Sequence, residues 1–205
     1  MKRDPEPPRG PGRPLQFDPD RAIDAAMRVF WLKGYEGASM ADLTSAMGIN
    51  KPSLYARYGN KRRLFLAAID HYSTTVTGPH VVPLLERTEL RSAIEGYLYS
   101  INSAIASTGA PPGCLIGSVA TELAGRDEEL RRNMAELVAR GEAFLTKRFV
   151  EIGGAPVEEH ALAELVISLT QSLAARARMG ATQAELDALC DCFLSVIFGP
   201  KGPAT

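Results

Sequence analysis

Residues 34–61 read G-Y-E-G-A-S-M-A-D-L-T-S-A-M-G-I-N-K-P-S-L-Y-A-R-Y-G-N-K, and they specify two short helices joined by a tight turn. Ser39 is a good N-cap, and Asp42 three residues on gives a capping-box-like start with Asp in place of the usual Glu. Met40, Leu43, Ala46 and Met47 recur at helical spacing and make one face apolar. Gly48 can take the positive φ that ends this helix, and Ile49 tucks under the turn. Asn50 caps a second helix with Pro52 near its first position, where a missing N–H is no loss. Leu54 and Tyr58, four apart, face inward, leaving Lys51, Ser53, Tyr55, Ala56 and Arg57 on other faces. The pattern is a helix-turn-helix whose second helix is short, small-sided and suited to the major groove of DNA.

The flanking segments support this motif. Upstream, Asp18 caps a helix with Pro19 at its first position; Ile23, Met27, Phe30 and Trp31 follow the helical period, and Gly34 closes it. Phe30 and Trp31 read as core, with this helix packing on Leu43, Leu54 and Tyr58. Downstream, Asn60 caps a fourth helix through Leu64, Phe65, Ala68 and Tyr72. Lys61 lies in its first turn, where amides, dipole and ammonium can converge on one phosphate. Gly78-Pro79 and Pro83 are expected to interrupt that helix.

Two runs, F-W-L-K-G-Y-E-G-A-S-M at 30–40 and G-I-N-K-P-S-L-Y-A-R-Y-G-N-K-R-R-L-F at 48–65, are specific enough to carry a resemblance. Over roughly Phe17 to Tyr72, about a quarter of the chain, the sequence resembles the amino-terminal domain of the tetracycline-repressor (TetR) family of bacterial transcription regulators. The resemblance implies roles position by position. Lys51, Pro52, Ser53 and Ala56 would face base edges, Lys51 donating to guanine O6 or N7 and Pro52 and Ala56 offering apolar contact. Ser39, the Met40 amide, Thr44, Asn50, Tyr55, Arg57 and Lys61 would hold phosphates and fix register. Tyr58 would occupy the family's buried aromatic position. One departure is Arg62-Arg63, where the position after Lys61 is often acidic; it is expected to add positive charge near the DNA.

The net charge of −1 over 205 residues hides an asymmetry. Residues 1–65 hold 12 Lys and Arg against 7 Asp and Glu, or +5, and the remainder balances at −6. A basic head on an acidic body suits a protein that attracts phosphates with one part only. Apolar residues at 45% and charged residues at 23% are ordinary for a soluble globular chain with a real core. The expected organisation is an arm over 1–16, a helix-turn-helix domain over 17–64, a helical effector-binding and dimerisation domain over 65–199 and a loose tail over 200–205. The arm, P-E-P-P-R-G-P-G-R-P at its centre, reads either as a solvated tail or as a minor-groove arm in which Arg9 and Arg13 enter an A·T-rich site.

Beyond the fourth helix the chain reads as all-α. Apolar stripes run through Ile94, Tyr97, Leu98, Ile101 and Ile105, then 115–123, then about 127–151 with Phe144 counted inward, then Leu162 to Leu173 and Leu186 to Ile197. The resemblance makes the last two long helices a dimer-forming pair, with Leu165, Leu169, Leu186, Leu189, Phe193 and Ile197 partly in the subunit interface. It also implies an effector pocket in the middle helices, for which Tyr97, Ile101, Cys114, Ile116, Phe144 and Arg176 are the candidates. One recognition helix reads few base pairs, so a homodimer on a near-palindromic double-stranded operator follows.

Cys190 and Cys192, two apart on a helix, point about 200° from each other and cannot share a metal, and His71, His80 and His160 lack ligand spacing. No metal, no cofactor and no catalytic motif is expected. No stretch approaches the roughly 20 apolar residues of a membrane span, no signal-peptide segment is seen, and the odd cysteine count suits a reducing cytoplasm. The reading is a dimeric repressor released by an unidentified small molecule. The alternatives are a ligand-free activator or architectural DNA binder, an enzyme or small-molecule binding protein with a vestigial head, and a thiol sensor built on Cys114.

Overall fold

The computed structural model describes residues 18–105, 111–120, 123 and 125–201, and among them there are helices and no strands. Arg9 and Arg13 lie outside the described residues, as do 202–205 of the tail. The helices in chain order are α1 (Pro19–Gly37), α2 (Met40–Met47), α3 (Lys51–Tyr58), α4 (Lys61–Tyr72), α5 (Val82–Glu86), α6 (Leu90–Ile105), α7 (Glu128–Ile152), α8 (Glu159–Arg178) and α9 (Gln183–Phe198).

Local chemistry sets the head. The Asp18 carboxylate accepts the Asp20 and Arg21 amides, and Pro19 opens α1. That helix buries Ala22, Ile23, Ala26, Met27, Phe30 and Trp31 along one face. Gly34, at φ 72° and ψ 172°, breaks it; the last turn then closes with the Ala38 amide on the Gly34 carbonyl at 3.2 Å. Ser39 and Asp42 form a full reciprocal capping box at the start of α2, and Lys33 reaches over from α1 to Asp42 at 2.6 Å. Gly48 ends α2 in the left-handed region at φ 65°, which a Cβ would disfavour, and so sets the turn.

The head does not have a separate core. Phe30 meets Phe65 edge-on at 5.0 Å, Trp31 meets Tyr72 edge-on at 5.0 Å, and Tyr35 meets Phe65 at 5.1 Å. The same buried cluster continues into Leu115, Val119, Leu123, Leu130 and Met134 of the body. A second cluster joins α5, α6, α8, α9 and the end of α7 around Leu98, Phe149, Leu162 and Leu194.

Three expectations need correction. Gly78-Pro79 and Pro83 do not interrupt the path after α4: a π turn over Ser73–Thr77 and a 3-10 turn over Gly78–Val81 carry it into α5. Ser73, Thr74, Thr75 and Thr77 each donate to the carbonyl four residues back at 2.7–3.0 Å, and both prolines fall in first turns, where no N–H is required. Arg62 does not turn its charge toward DNA. Its guanidinium pairs with Asp127 and, at 2.9 Å, with Glu129 at the start of α7, so it ties α4 to the body. Phe144 is not packed in the core but is 39% exposed.

Two of the capping carboxyls titrate below their ordinary range. The Lys33 ammonium and then the Ser39 groups hold Asp42 down, and the Leu130 amide and then Arg62 hold Asp127 down. A depressed carboxyl contributes stability that is complete above about pH 4 and lost as the pH falls toward its lowered value. Asp42→Asn should therefore be less stable than wild type at neutral pH, with the gap narrowing on acidification as the wild-type carboxyl protonates. Acid unfolding followed through Trp31, which is buried at 4% exposure, measures this, and a gap that does not narrow contradicts it.

Candidate nucleic-acid interface and internal cavity

α3 buries one side chain of its eight, Leu54. Asn50 accepts the Ser53 amide at 2.8 Å at one end, and the Gly59 amide closes on the Tyr55 carbonyl at 2.9 Å at the other. Tyr58 is half-buried against the core and lies under the Arg57 guanidinium at 5.7 Å. Lys51, Pro52, Ser53, Tyr55, Ala56 and Arg57 are all exposed, and Tyr55 is 42% exposed. The helix is thus held by its ends and one leucine, and offers donors, small groups and a phenol outward.

The surrounding candidates divide. The Ser39 hydroxyl donates to Asp42 at 2.7 Å and accepts its amide at 3.0 Å, so it is committed to the cap. The Thr44 hydroxyl donates back to the Met40 carbonyl at 2.9 Å. In this geometry both are occupied by the fold. The amides of Met40 and Ala41, which a helix leaves without internal partners, remain at the α2 N-terminus. Lys61 sits in the first turn of α4, half-buried, with its ammonium 4.5 Å from the Tyr35 ring centre. Spacing alone does not mark Tyr35 as part of this site; the fold sets its ring beneath the Lys61 ammonium.

A cavity of about 450 Å³ lies between the head and the body. Tyr97, Ile101, Cys114, Ile116 and Phe144 line it, five of the six effector candidates. Arg176 does not; it is exposed near the end of α8, beyond the wall. The sequence missed that Met27 and Trp31 of α1 and Tyr72 of α4 also form the wall, since helical spacing marks core and cavity residues alike. Burial, and then the neighbouring Cys114, raise the Tyr72 phenol well above its usual value, and burial pushes Tyr97 up to about 12. Both are neutral donors. Cys114 Sγ lies 3.5 Å from the Gly117 amide.

Of the interface candidates, Leu165 is 46% exposed and Leu169, Leu189, Phe193 and Ile197 are partly exposed. Leu186 is a correction: at 0% exposure it is packed inside its own protomer, in the buried cluster shared by α5, α6, α8 and α9. Val196, 77% exposed, extends the outer apolar face. Among the described residues no helix is long and apolar enough to cross a membrane.

Residues 22–68 match the family model described as bacterial regulatory proteins, tetR family, and residues 91–190 match that of the transcriptional regulator LmrA/YxaF-like C-terminal domain. The chain is 34% identical over 182 residues to the HTH-type transcriptional repressor ComR of Escherichia coli (strain K12), covering 85% of this chain and 86% of ComR. It is 42% identical over 78 residues to the transcriptional repressor BdcR of the same organism, 38% of each chain. Among solved structures it is similar to the TetR family transcriptional regulator CifR, as a cysteine mutant complexed with 26-bp double-strand operator DNA. That likeness has a TM-score of 0.80 at 29% identity over 91% of this chain and 100% of the other. The chain belongs to the TetR family of bacterial regulatory proteins, which are DNA-binding transcription regulators and not enzymes.

Proposed function

We propose that this protein is a homodimeric repressor that holds a near-palindromic operator through two copies of α3 and releases it when a small molecule fills the cavity. The observation that carries the reading is the wall of that cavity. α1 and α4 belong to the head, yet Met27, Trp31 and Tyr72 face the same space as Tyr97 and Ile101 of the body. An occupant therefore touches the elements that aim α3, and shifts their position by its differential affinity for the two arrangements. The sign, repression, is supported by the likeness to ComR and BdcR, both transcriptional repressors. In the domain division we propose, the boundary at 64/65 is functional; it falls inside α4.

Each candidate takes a role in this scheme. Lys51, Pro52, Ser53 and Ala56 face base edges, and Asn50, Tyr55, Arg57, Lys61 and the Met40 amide face phosphates. Ser39 and Thr44 serve by shaping α2. Leu165, Leu169, Leu189, Phe193 and Ile197, joined by Val196, cover the partner subunit. Two recognition helices so paired would stand roughly 34–36 Å apart, one turn of duplex.

Lys51→Ala should weaken operator binding by about 1–3 kcal/mol and relax preference at the guanine it contacts, whereas Tyr55→Phe should weaken all sequences alike. Anisotropy titrations against a panel of single-base operator variants separate the two, and an unchanged preference in Lys51→Ala removes it from the base-reading set. Phe193→Glu should give a monomer by sedimentation, with operator affinity reduced. A stable dimer in that variant places the interface elsewhere.

A further inference from the structure

The Tyr97 hydroxyl is a polar group that the fold leaves open inside the cavity. Tyr97 lies on α6, is only 9% exposed and forms part of the wall. Among the described residues its oxygen has no hydrogen-bond partner. It is also not sealed off. The unpaired atoms enclosed on all sides are Trp31 Nε1, Arg62 Nε, Arg91 Nε and Asn102 Oδ1, and the Tyr97 oxygen is not one of them. Its remaining surface opens on the cavity: burial and then the nearby Cys114 thiol raise the phenol to about 12, and Cys114 is itself wall. At neutral pH the group therefore keeps its proton and can donate it.

A second donor stands beside it. Tyr97 and Ser100 are three apart on α6 and so neighbours on its surface. His80, another wall residue, has its Nδ1 2.8 Å from the Ser100 hydroxyl. Ser100 has no other hydrogen-bond partner among the described residues, so its O–H is satisfied by donating to Nδ1. Burial lowers the His80 pKa and keeps the ring neutral, which leaves its one proton on Nε2. Other polar side chains of the wall are engaged. Ser73, Thr77 and Thr170 donate to backbone carbonyls at 2.7–2.9 Å, and Gln171 is exposed to solvent. A buried donor without an acceptor is costly, so a guest that brings the acceptor is favoured.

Taking the cavity as the effector site proposed above, we infer that its ligand is a carbonyl compound with an apolar body, whose oxygen accepts from the Tyr97 hydroxyl and from His80 Nε2. A carbonyl oxygen has two lone pairs and can take both donors at once. The apolar body fills the rest of a volume of about 450 Å³, inside the range of about 300–1,000 Å³ usual for ligand sites. Tyr97 then sets specificity: it holds the oxygen on α6, while the body of the ligand shares the space with Met27 of α1.

Two probes with equal numbers of non-hydrogen atoms test this on the full-length protein: 2-acetylnaphthalene and its hydrocarbon counterpart 2-isopropenylnaphthalene. Calorimetry should show the ketone binding about tenfold more tightly than the hydrocarbon. Tyr97→Phe removes one oxygen and keeps the ring, so it should bring the ketone to the hydrocarbon's affinity and leave the hydrocarbon unchanged. His80→Leu should also weaken the ketone, and Tyr97→Phe answers even if that variant folds poorly. In difference infrared spectra the carbonyl stretch of the bound ketone should lie below its value in a hydrocarbon solvent and move back up in Tyr97→Phe. Equal binding of the two probes, a Tyr97→Phe protein that keeps the ketone's advantage, an unshifted carbonyl stretch, or no binding by either probe up to its solubility limit overturns the inference. If the ketone binds through Tyr97 while operator affinity stays constant, the recognition chemistry stands and the effector reading falls.

Discussion

A helix that buries a single leucine cannot be held in place by its own hydrophobic contacts, and the architecture of the head follows from that constraint. Complete burial of a leucine contributes about 1.5–3 kcal/mol, too little to fix an eight-residue helix that is marginal in isolation. The position of α3 is therefore set from its ends: Asn50 and the Gly48 turn before it, Gly59 and Asn60 after it. Those anchors rest in turn on α1 and α4, whose aromatic side chains Phe30, Trp31, Phe65 and Tyr72 lock together beneath. Freeing the outer face of α3 from packing is what leaves its side chains available to a duplex.

The same economy of packing ties the head to the body. Because the head's core continues into Leu115, Val119 and Met134, movement of the body is felt at α1 and α4 without any separate lever. Arg62 adds a polar tie from the first turn of α4 to Asp127 and Glu129. The segment leading to Asp127 begins at Cys114 and Ile116, which are cavity wall. The cavity wall, the shared core and the ion pair thus draw on the same helices, α1, α4 and α7, the physical condition under which an occupant of the cavity would be coupled to α3.

Much of the head could be read from residue types, because caps and turns are local. Asp18, Ser39 with Asp42, Gly48, Asn50 and Asn60 each do in the structure what their chemistry requires within a few residues. Long-range relations were not readable in this way. Arg62 beside Lys61 reads as one more DNA-facing cation, and only the fold brings Asp127 to it. Trp31 reads as core by its spacing, and its unpaired nitrogen emerges only when its neighbours are in place. Leu186 and Phe193 share a helix and an apolar character, yet one is fully buried and the other only partly. Gly78-Pro79 reads as a break, but hydroxyl bonds to the preceding turn carry the helical path through it.

The central claim is that α3 lies with Ala56 against base edges in both halves of an operator. The direct measurement places a photo-crosslinking side chain at position 56 and maps the adducts on DNA fragments selected from the source genome. The account predicts adducts on bases at two symmetry-related positions, about 10 base pairs or a multiple of that apart. Bound DNA that yields no base adduct from position 56, or adducts without any symmetric spacing, would contradict it.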